Sequence, residues 1–141
     1  MTRKKRTRAI LPLGPSYSDL EAIERTDQRT PERPEELPLG RIKAAPAVFQ
    51  WRLSNENLVN DEMHTADLVS ALDDRGQPLD RILVTAIGRD FYVVDGHHRL
   101  LAYHTVEWDR GVPVEHFDED VKAAQEEALK PSATRQIASR T

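Results

Sequence analysis

The chain has 141 residues, the size of one domain, and 31% of them are charged and 38% hydrophobic. It has no cysteine, which excludes disulfides, thiolate catalysis and cysteine-ligated zinc. Its net charge is -4, and no apolar run is long enough for a membrane span or a signal peptide, so we expect a cytoplasmic protein with no membrane partner.

Residues 1–38 are predicted to form a basic, proline-rich and largely flexible arm. Five of the nine prolines lie in this region, and residues 29–36 offer no apolar side chain that could anchor them to a core. Residues 18–25 predict a short helix that would be marginal on its own. The alternative is that Leu20 and Ile23 dock onto the core or onto a second copy of the chain in a homodimer.

The first eight residues contain a cluster of basic side chains: Arg3, Lys4, Lys5, Arg6 and Arg8. A basic arm on an otherwise acidic chain favours weak contact with nucleic-acid phosphates through the arm alone. The alternative is a solvated tail that binds nothing.

Short strands and one helix are expected at the start of the compact domain. Residues 40–45 and 47–52 are predicted to be extended. An amphipathic helix should begin at Asn60 or Asp61 and end near Asp73, because apolar residues recur there at helical spacing.

The clearest local signal is a β-hairpin. Residues 81–87 and 91–94 are rich in β-branched and aromatic side chains, and the turn sequence Gly88-Arg89-Asp90 separates them. The second strand leads directly into a helix predicted from His97 to Trp108.

A last strand and a last helix complete the compact domain. Residues 112–117 are predicted to form an edge strand, since Pro113 cannot donate a backbone hydrogen bond to a neighbour. A polar helix should follow over residues 118–129. These elements make residues 39–130 the compact domain and leave 131–141 as a flexible tail.

The junction between the hairpin and the next helix is the candidate site. Its sequence is Asp95-Gly96-His97-His98-Arg99. A strand that hands over to a helix directs several backbone N–H groups at one point, at the positive end of the helix dipole. Gly96 allows close approach of a ligand, Arg99 offers a planar fork for phosphate oxygens, and the two histidines add donors. The turn therefore predicts a phosphate site, with Asp95 as the single candidate base.

Two other interpretations of this turn remain. A glycine turn between a strand and a helix is common and often only structural. A zinc site would need both histidines, but adjacent residues on a helix point about 100° apart, so no metal site is predicted from the motif itself.

Residues 91–103 resemble the central motif of the ParB/sulfiredoxin superfamily, which reads hydrophobic strand, glycine turn, arginine and helix. Residues 48–52 resemble the upstream arginine box of ParB-like domains, and residues 61–68 resemble the helix that follows it. Residues 76–84 and 111–114 resemble the later strands, in the same order. The resemblance implies an α+β fold with a small mixed β-sheet and flanking helices.

The resemblance also implies site residues. The central turn would bind nucleotide phosphates through Gly96, His97, His98 and Arg99, and Arg52 of the upstream box would face the nucleotide. Sulfiredoxins place a catalytic cysteine where this chain has His97, so sulfinic-acid reduction is excluded. The helix-turn-helix domain of partition proteins is not in this sequence, because too few residues follow residue 117.

The leading hypothesis is a ParB-like module that binds a nucleoside triphosphate or diphosphate, such as ATP or CTP, together with magnesium. It would act as an NTPase or as a DNA-linked accessory protein. Gln50 and His64 are further candidate nucleotide contacts. One alternative is a small-molecule kinase of the amino-acid type, with Asp95 as the base for a substrate hydroxyl. The other is a non-catalytic interaction module.

Overall fold

The computed structural model describes residues 11–49 and 55–130, and for residues 55–63 it describes the backbone alone. Within these ranges the helices are α1 (Tyr17–Thr26), α2 (Pro46–Phe49), α3 (Asn55–Arg75), α4 (His97–Thr105) and α5 (Val121–Leu129). The strands are β1 (Glu36–Leu37), β2 (Ile42–Lys43), β3 (Ile82–Ile87), β4 (Asp90–Asp95) and β5 (Val112–His116). A short 3-10 turn, Leu39–Arg41, connects β1 to β2.

The strands form one mixed sheet in the order β1-β5-β3-β4-β2. The β3–β4 hairpin is antiparallel, as is the β1–β5 pair, whereas β2 runs parallel to β4 and β5 runs parallel to β3. This arrangement confirms the predicted α+β fold with a small mixed sheet and flanking helices. No helix in the described residues combines the length and apolar character needed to cross a bilayer.

Both faces of the central hairpin are buried, so the sheet is the middle layer of the domain. Ile82 and Val84 pack in one apolar cluster with residues of α3 and α4, including Leu72 and Tyr103. The opposite cluster contains residues of α1, α2 and α5. The turn of the hairpin contains Gly88 at a φ of 60°, a left-handed conformation that glycine adopts without strain.

Residues 11–37 pack against the domain, which corrects the prediction of a flexible arm for this part of the chain. Helix α1 begins with a capping box between Ser16 and Asp19, and Leu20 is fully buried. The Arg29 guanidinium donates to Ala86 O at 2.9 Å and to Glu119 O at 2.7 Å. Residues 29–36 contain no apolar side chain that could pack into the core, and the hydrogen bonds of Arg29 hold this segment to the domain instead. Residues 1–10, which include the basic cluster, lie outside the described residues.

The predicted second strand, residues 47–52, begins instead as a helical turn. The backbone N–H groups of Val48 and Phe49 donate to Ala45 O at 2.9 and 3.0 Å. Pro46 stands at the first helical position, where its fixed φ is favourable. Val48 and Phe49 are both buried, so the alternation expected of a strand is absent from these two positions.

Helix α3 begins at Asn55 rather than at Asn60 or Asp61, and it ends at Arg75. No glycine or proline interrupts the sequence between residues 55 and 61, so the helix continues through this stretch. Asn60 and Asp61 lie inside the helix and do not cap it.

Strand β5 is not an edge strand, in contrast to the prediction from Pro113. It lies between β1 and β3, and Pro113 stands opposite Glu36 of β1. The N–H of the next residue, Val114, donates to Glu35 O at 2.9 Å. Since β1 is only two residues long, the missing donor of one proline does not prevent pairing.

Candidate functional site

The β4–α4 turn is a helix start whose N-cap residue is a glycine. Gly96 has a φ of 112° and is the N-cap residue of α4, and as a glycine it has no side chain with which to cap the helix. The first bond within the helix is donated by Leu100 N to Gly96 O at 3.0 Å. The N–H groups of the first helical turn therefore point toward the N-terminal end of α4, where the helix dipole is positive.

Gly96 is required by its backbone conformation and by its neighbour in β3. A Cβ atom at this position would lie 3.3 Å from both γ carbons of Ile82. The space that the missing side chain leaves is thus filled by Ile82. The structure thus gives this glycine a conformational and packing role, and close approach of a ligand to its backbone stays a prediction.

His97 is a buried side chain rather than an exposed donor. It is only 5% exposed, and its Nε2 atom is buried with no hydrogen-bond partner among the described residues. Burial lowers the pKa of His97 from 6.5 to about 4, although the nearby Asp95 carboxylate acts in the opposite direction. The imidazole is therefore neutral at physiological pH. The predicted phosphate contact from the His97 side chain does not fit this burial, and only its backbone N–H remains available to that hypothesis.

His98 and His64 bring α3 and α4 together beside the turn. Their ring centroids are 5.4 Å apart, with an angle of 78° between the planes. His64 is exposed, whereas His98 is half-buried. The structure thus unites two candidate site residues that are distant in the sequence.

Arg99 and Asp95 flank the same helix start. Arg99 is half-buried, and its Nη1 donates to the backbone oxygen of Arg81 at 3.1 Å. Asp95 is the last residue of β4 and is also half-buried. No ion pair of the Arg99 guanidinium with a carboxylate is found among the described residues. Arg99 is therefore anchored by one neutral oxygen and keeps other donors for a ligand.

Sequence reasoning missed Arg81 as a neighbour of the turn. It immediately precedes β3, and the start of β3 pairs with the end of β4, where Leu83 lies opposite Asp95. The hairpin predicted from the sequence already implied this proximity, because the first residues of one strand face the last residues of the other.

Several predicted residues lie outside the part of the chain that the structure describes. They are Gln50 and Arg52 of the upstream box and the basic residues of the N-terminus. In the described residues, no group of three or more histidine and carboxylate side chains is arranged to hold a metal ion.

The comparisons with known proteins find a relationship in structure. No protein-family model matches the chain, and no curated protein matches it in sequence. A crystal structure of sulfiredoxin from Arabidopsis thaliana aligns with 68% of this chain and 96% of its own, at 19% identity and a TM-score of 0.46.

A second crystal structure is the C-terminally truncated chromosome-partitioning protein ParB from Caulobacter crescentus, complexed with CTP-gamma-S. It aligns with 67% of this chain at 21% identity and a TM-score of 0.50. The alignment covers 49% of that ParB chain, so this chain spans about half of its length. Together with the mixed sheet and its flanking helices, this likeness shows that the chain has a ParB-like fold.

Proposed function

We propose that the chain binds a nucleotide through its phosphates at the β4–α4 turn. The observation that carries the proposal is the start of α4. Its N-cap residue is a glycine, which has no side chain, and its first turn contains an arginine that is anchored by one backbone oxygen. A phosphate at this point would accept hydrogen bonds from backbone N–H groups and from Arg99, in the field of the helix dipole.

The nature of the ligand is supported by the structural likeness. The ParB protein with this fold is a complex with a CTP analogue. We extend nucleotide binding from that protein to this chain, with a nucleoside triphosphate or diphosphate as the ligand. Magnesium would be bound mainly by the phosphates, since no protein cluster for it occurs among the described residues.

Asp95 distinguishes a catalytic version of this function from a binding module. Its carboxylate ends β4 beside the helix start, where it could orient a magnesium-bound water or accept a proton from a substrate hydroxyl. In the first case the protein is an NTPase and in the second a small-molecule kinase. If Asp95 does neither, the domain is a non-catalytic interaction module.

Other parts of the proposal concern residues that the structure does not describe. Arg52 and Gln50 would face the nucleotide from the segment before α3. The basic N-terminus would bind nucleic acid weakly, and a homodimer is a further expectation. Light scattering of the purified chain tests the dimer, and the salt dependence of DNA binding tests the arm.

Titration calorimetry tests the binding site. ATP, CTP, GTP and ADP are titrated into the wild type with and without Mg²⁺, and then into Arg99→Ala and Arg89→Ala. Arg89 is exposed in the turn at the opposite end of the hairpin, so it is a control of equal charge. We expect Arg99→Ala to lose about 2–3 kcal/mol of binding free energy and Arg89→Ala to bind as the wild type does.

The same measurements can contradict the proposal. Unchanged nucleotide affinity in a folded Arg99→Ala protein would exclude the phosphate site. Asp95→Asn should keep nucleotide affinity within about tenfold while it abolishes turnover, if Asp95 is a base or orients a metal. Wild-type turnover in Asp95→Asn would limit this residue to a structural role, since asparagine keeps the size of the side chain and one hydrogen-bonding oxygen.

A further inference from the structure

Two histidines from different helices meet at the surface of the domain. The rings of His64 in α3 and His98 in α4 have centroids 5.4 Å apart, and their planes make an angle of 78°. His64 is exposed and His98 is half-buried, so a solvated ion can reach the pair. The two side chains are far apart in the sequence, and only the packing of α3 against α4 unites them.

The separation of the two rings matches the geometry of a shared metal ion. Zinc binds imidazole nitrogen at about 2.0–2.1 Å, and two imidazoles that ligate one tetrahedral ion therefore have ring centroids roughly 5 Å apart. The steep angle between the planes suits two rings that approach one point from different helices. Edge-to-face packing of two aromatic rings gives a similar separation, so the experiment has to distinguish packing from ligation.

The other histidines of the chain are not placed for this chemistry. Of the five histidines, His97 is buried, and His116 has one ring nitrogen bonded to a backbone oxygen and the other buried. His104 lies further along α4, about 9 Å from His98 by the rise of the helix. His64 and His98 are thus the pair that combines proximity with access to solvent.

We propose that His64 and His98 bind one transition-metal ion of the zinc or nickel type, with water in the remaining coordination positions. Imidazole is a preferred ligand of these ions, whereas magnesium and calcium prefer oxygen. No third histidine or carboxylate of the described residues joins the pair in a metal-binding group. A catalytic zinc site usually has three protein ligands, so this site would bind more weakly and would respond to the concentration of free metal.

A metal ion on this pair would link α3 to α4. The ion would bind the folded chain more tightly than the unfolded chain, in which the two imidazoles are not held together, and it would therefore raise stability. The inference does not depend on nucleotide binding.

Metal titrations of the full chain, without a histidine tag and without nucleotide, test the inference. Zn²⁺ and Ni²⁺ are titrated by calorimetry, and Mg²⁺ and Ca²⁺ serve as cations that imidazole does not favour. The proteins are the wild type, His64→Gln, His98→Gln and the double variant. His104→Gln is the matched control, since it removes an exposed histidine from the same helix as His98. Thermal melts without metal show that each variant is folded.

We expect one equivalent of Zn²⁺ or Ni²⁺ to bind the wild type, and each single variant of the pair to weaken binding by at least about tenfold. The double variant should lose little more than either single variant, because one imidazole alone is not a site. At a metal concentration about 100-fold above the dissociation constant, the melting temperature of the wild type should rise by about 5–10 °C. His104→Gln should behave as the wild type does.

Three results would overturn the metal site: a wild type that binds neither Zn²⁺ nor Ni²⁺, wild-type affinity in His64→Gln or His98→Gln, or an equal loss in His104→Gln. Each of them would leave edge-to-face packing as the role of the pair. None of them affects the proposed function, which the nucleotide titrations of Arg99→Ala test separately.

Discussion

The N-terminal segment of residues 17–37 and the β4–α4 turn each contain a half-buried arginine, and the two regions use it differently. Arg29 donates to four acceptors: Ala86 O, Thr85 Oγ1, Phe117 O and Glu119 O. Arg99 donates to one, the backbone oxygen of Arg81.

The difference separates an arginine that holds the fold together from one that is available for a ligand. Arg29 joins the N-terminal segment to β3 and to the connection between β5 and α5, and both its Nε and Nη2 atoms are engaged. A guanidinium has five N–H donors in a rigid fork, so Arg99 retains most of its capacity. The variants below test whether the N-terminal segment stabilises the fold while the turn binds the ligand.

The largest effect is expected for Leu20→Ala in the N-terminal segment. Leu20 of α1 is fully buried and belongs to the apolar cluster that contains Phe49 and Tyr92. Truncation should lower the free energy of unfolding by about 3–4 kcal/mol, because it leaves a cavity. Leu13, which is 74% exposed, is the control, and Leu13→Ala should change stability by less than about 0.5 kcal/mol in a urea titration.

Arg29→Ala should cost about 3 kcal/mol of stability, since it removes charged hydrogen bonds to carbonyls that are partly buried. Arg29→Lys keeps the charge but loses the planar fork, so we expect an intermediate loss. Urea denaturation of both variants measures this. A change below about 0.5 kcal/mol in Arg29→Ala would mean that the segment is held by Leu20 and its neighbours alone.

In the turn, His97 should make stability depend on pH. Its pKa is lowered by burial from 6.5 to about 4, so the unfolded chain takes up a proton at a higher pH than the folded chain does. The neutral His97 imidazole contributes fully to the free energy of unfolding above pH 6.5. This contribution is lost as the pH falls toward 4, and the total loss is about 3 kcal/mol. Urea titrations between pH 7 and 5 should show the slope, and His97→Leu should flatten it.

The pH experiment has a control in the same helix. Partial burial also lowers the pKa of His104, which therefore contributes with the same sign. His104→Gln should flatten the slope less than His97→Leu. An identical slope in wild type and His97→Leu would show that this imidazole is not buried in solution.

Gly96→Ala should destabilise the fold by about 2 kcal/mol. The backbone conformation at Gly96 is unfavourable for residues with a side chain, and the new Cβ would press on Ile82. Gly40 is a matched control, because a Cβ there meets nothing within 4 Å. Equal melting temperatures for Gly96→Ala and Gly40→Ala would show that residue 96 does not have the positive φ and the close contact with Ile82 described here.

The smallest effect on stability is expected for Arg99→Ala, below about 0.5 kcal/mol, although it should weaken ligand binding by about 2–3 kcal/mol. Measured beside Arg29→Ala, it separates the two kinds of arginine directly. A loss of stability in Arg99→Ala as large as in Arg29→Ala would remove the distinction between the two regions.

The hairpin and α4 could be predicted because their signals are local. Gly88 marks the turn between two β-branched runs, and Leu100 and Tyr103 of α4 are buried against the sheet. The N-terminal segment could not be predicted in the same way. Its anchor is the guanidinium of Arg29, whose acceptors are more than 50 residues away, and hydrophobic patterns do not detect polar anchors.

The candidate site was only partly predictable for a similar reason. The sequence of the turn indicated the helix start, and the resemblance to ParB-like proteins indicated the fold. Burial of His97 depends on the packing around it, and the position of Arg81 depends on strand register. Neither the burial of His97 nor the position of Arg81 can be inferred from the five residues of the turn alone.

The connection between β1 and β2 has a consequence for the shape of the sheet. These strands are the two outermost ones, yet only residues 38–41 separate them. Laid flat, the outer strands of five would be about 19 Å apart. Five residue steps span at most about 18 Å when fully extended, and part of this connection is a compact 3-10 turn. The sheet must therefore curl until its two borders approach each other.

One short stretch of chain thus shields both borders of the sheet at once. If residues 36–43 detached, β5 and β4 would both present unpaired backbone groups, on strands that are rich in valine. Exposed strands of this kind pair readily with those of other molecules. A single proteolytic cut or a destabilising substitution in this stretch should therefore promote self-association of the domain through two borders simultaneously.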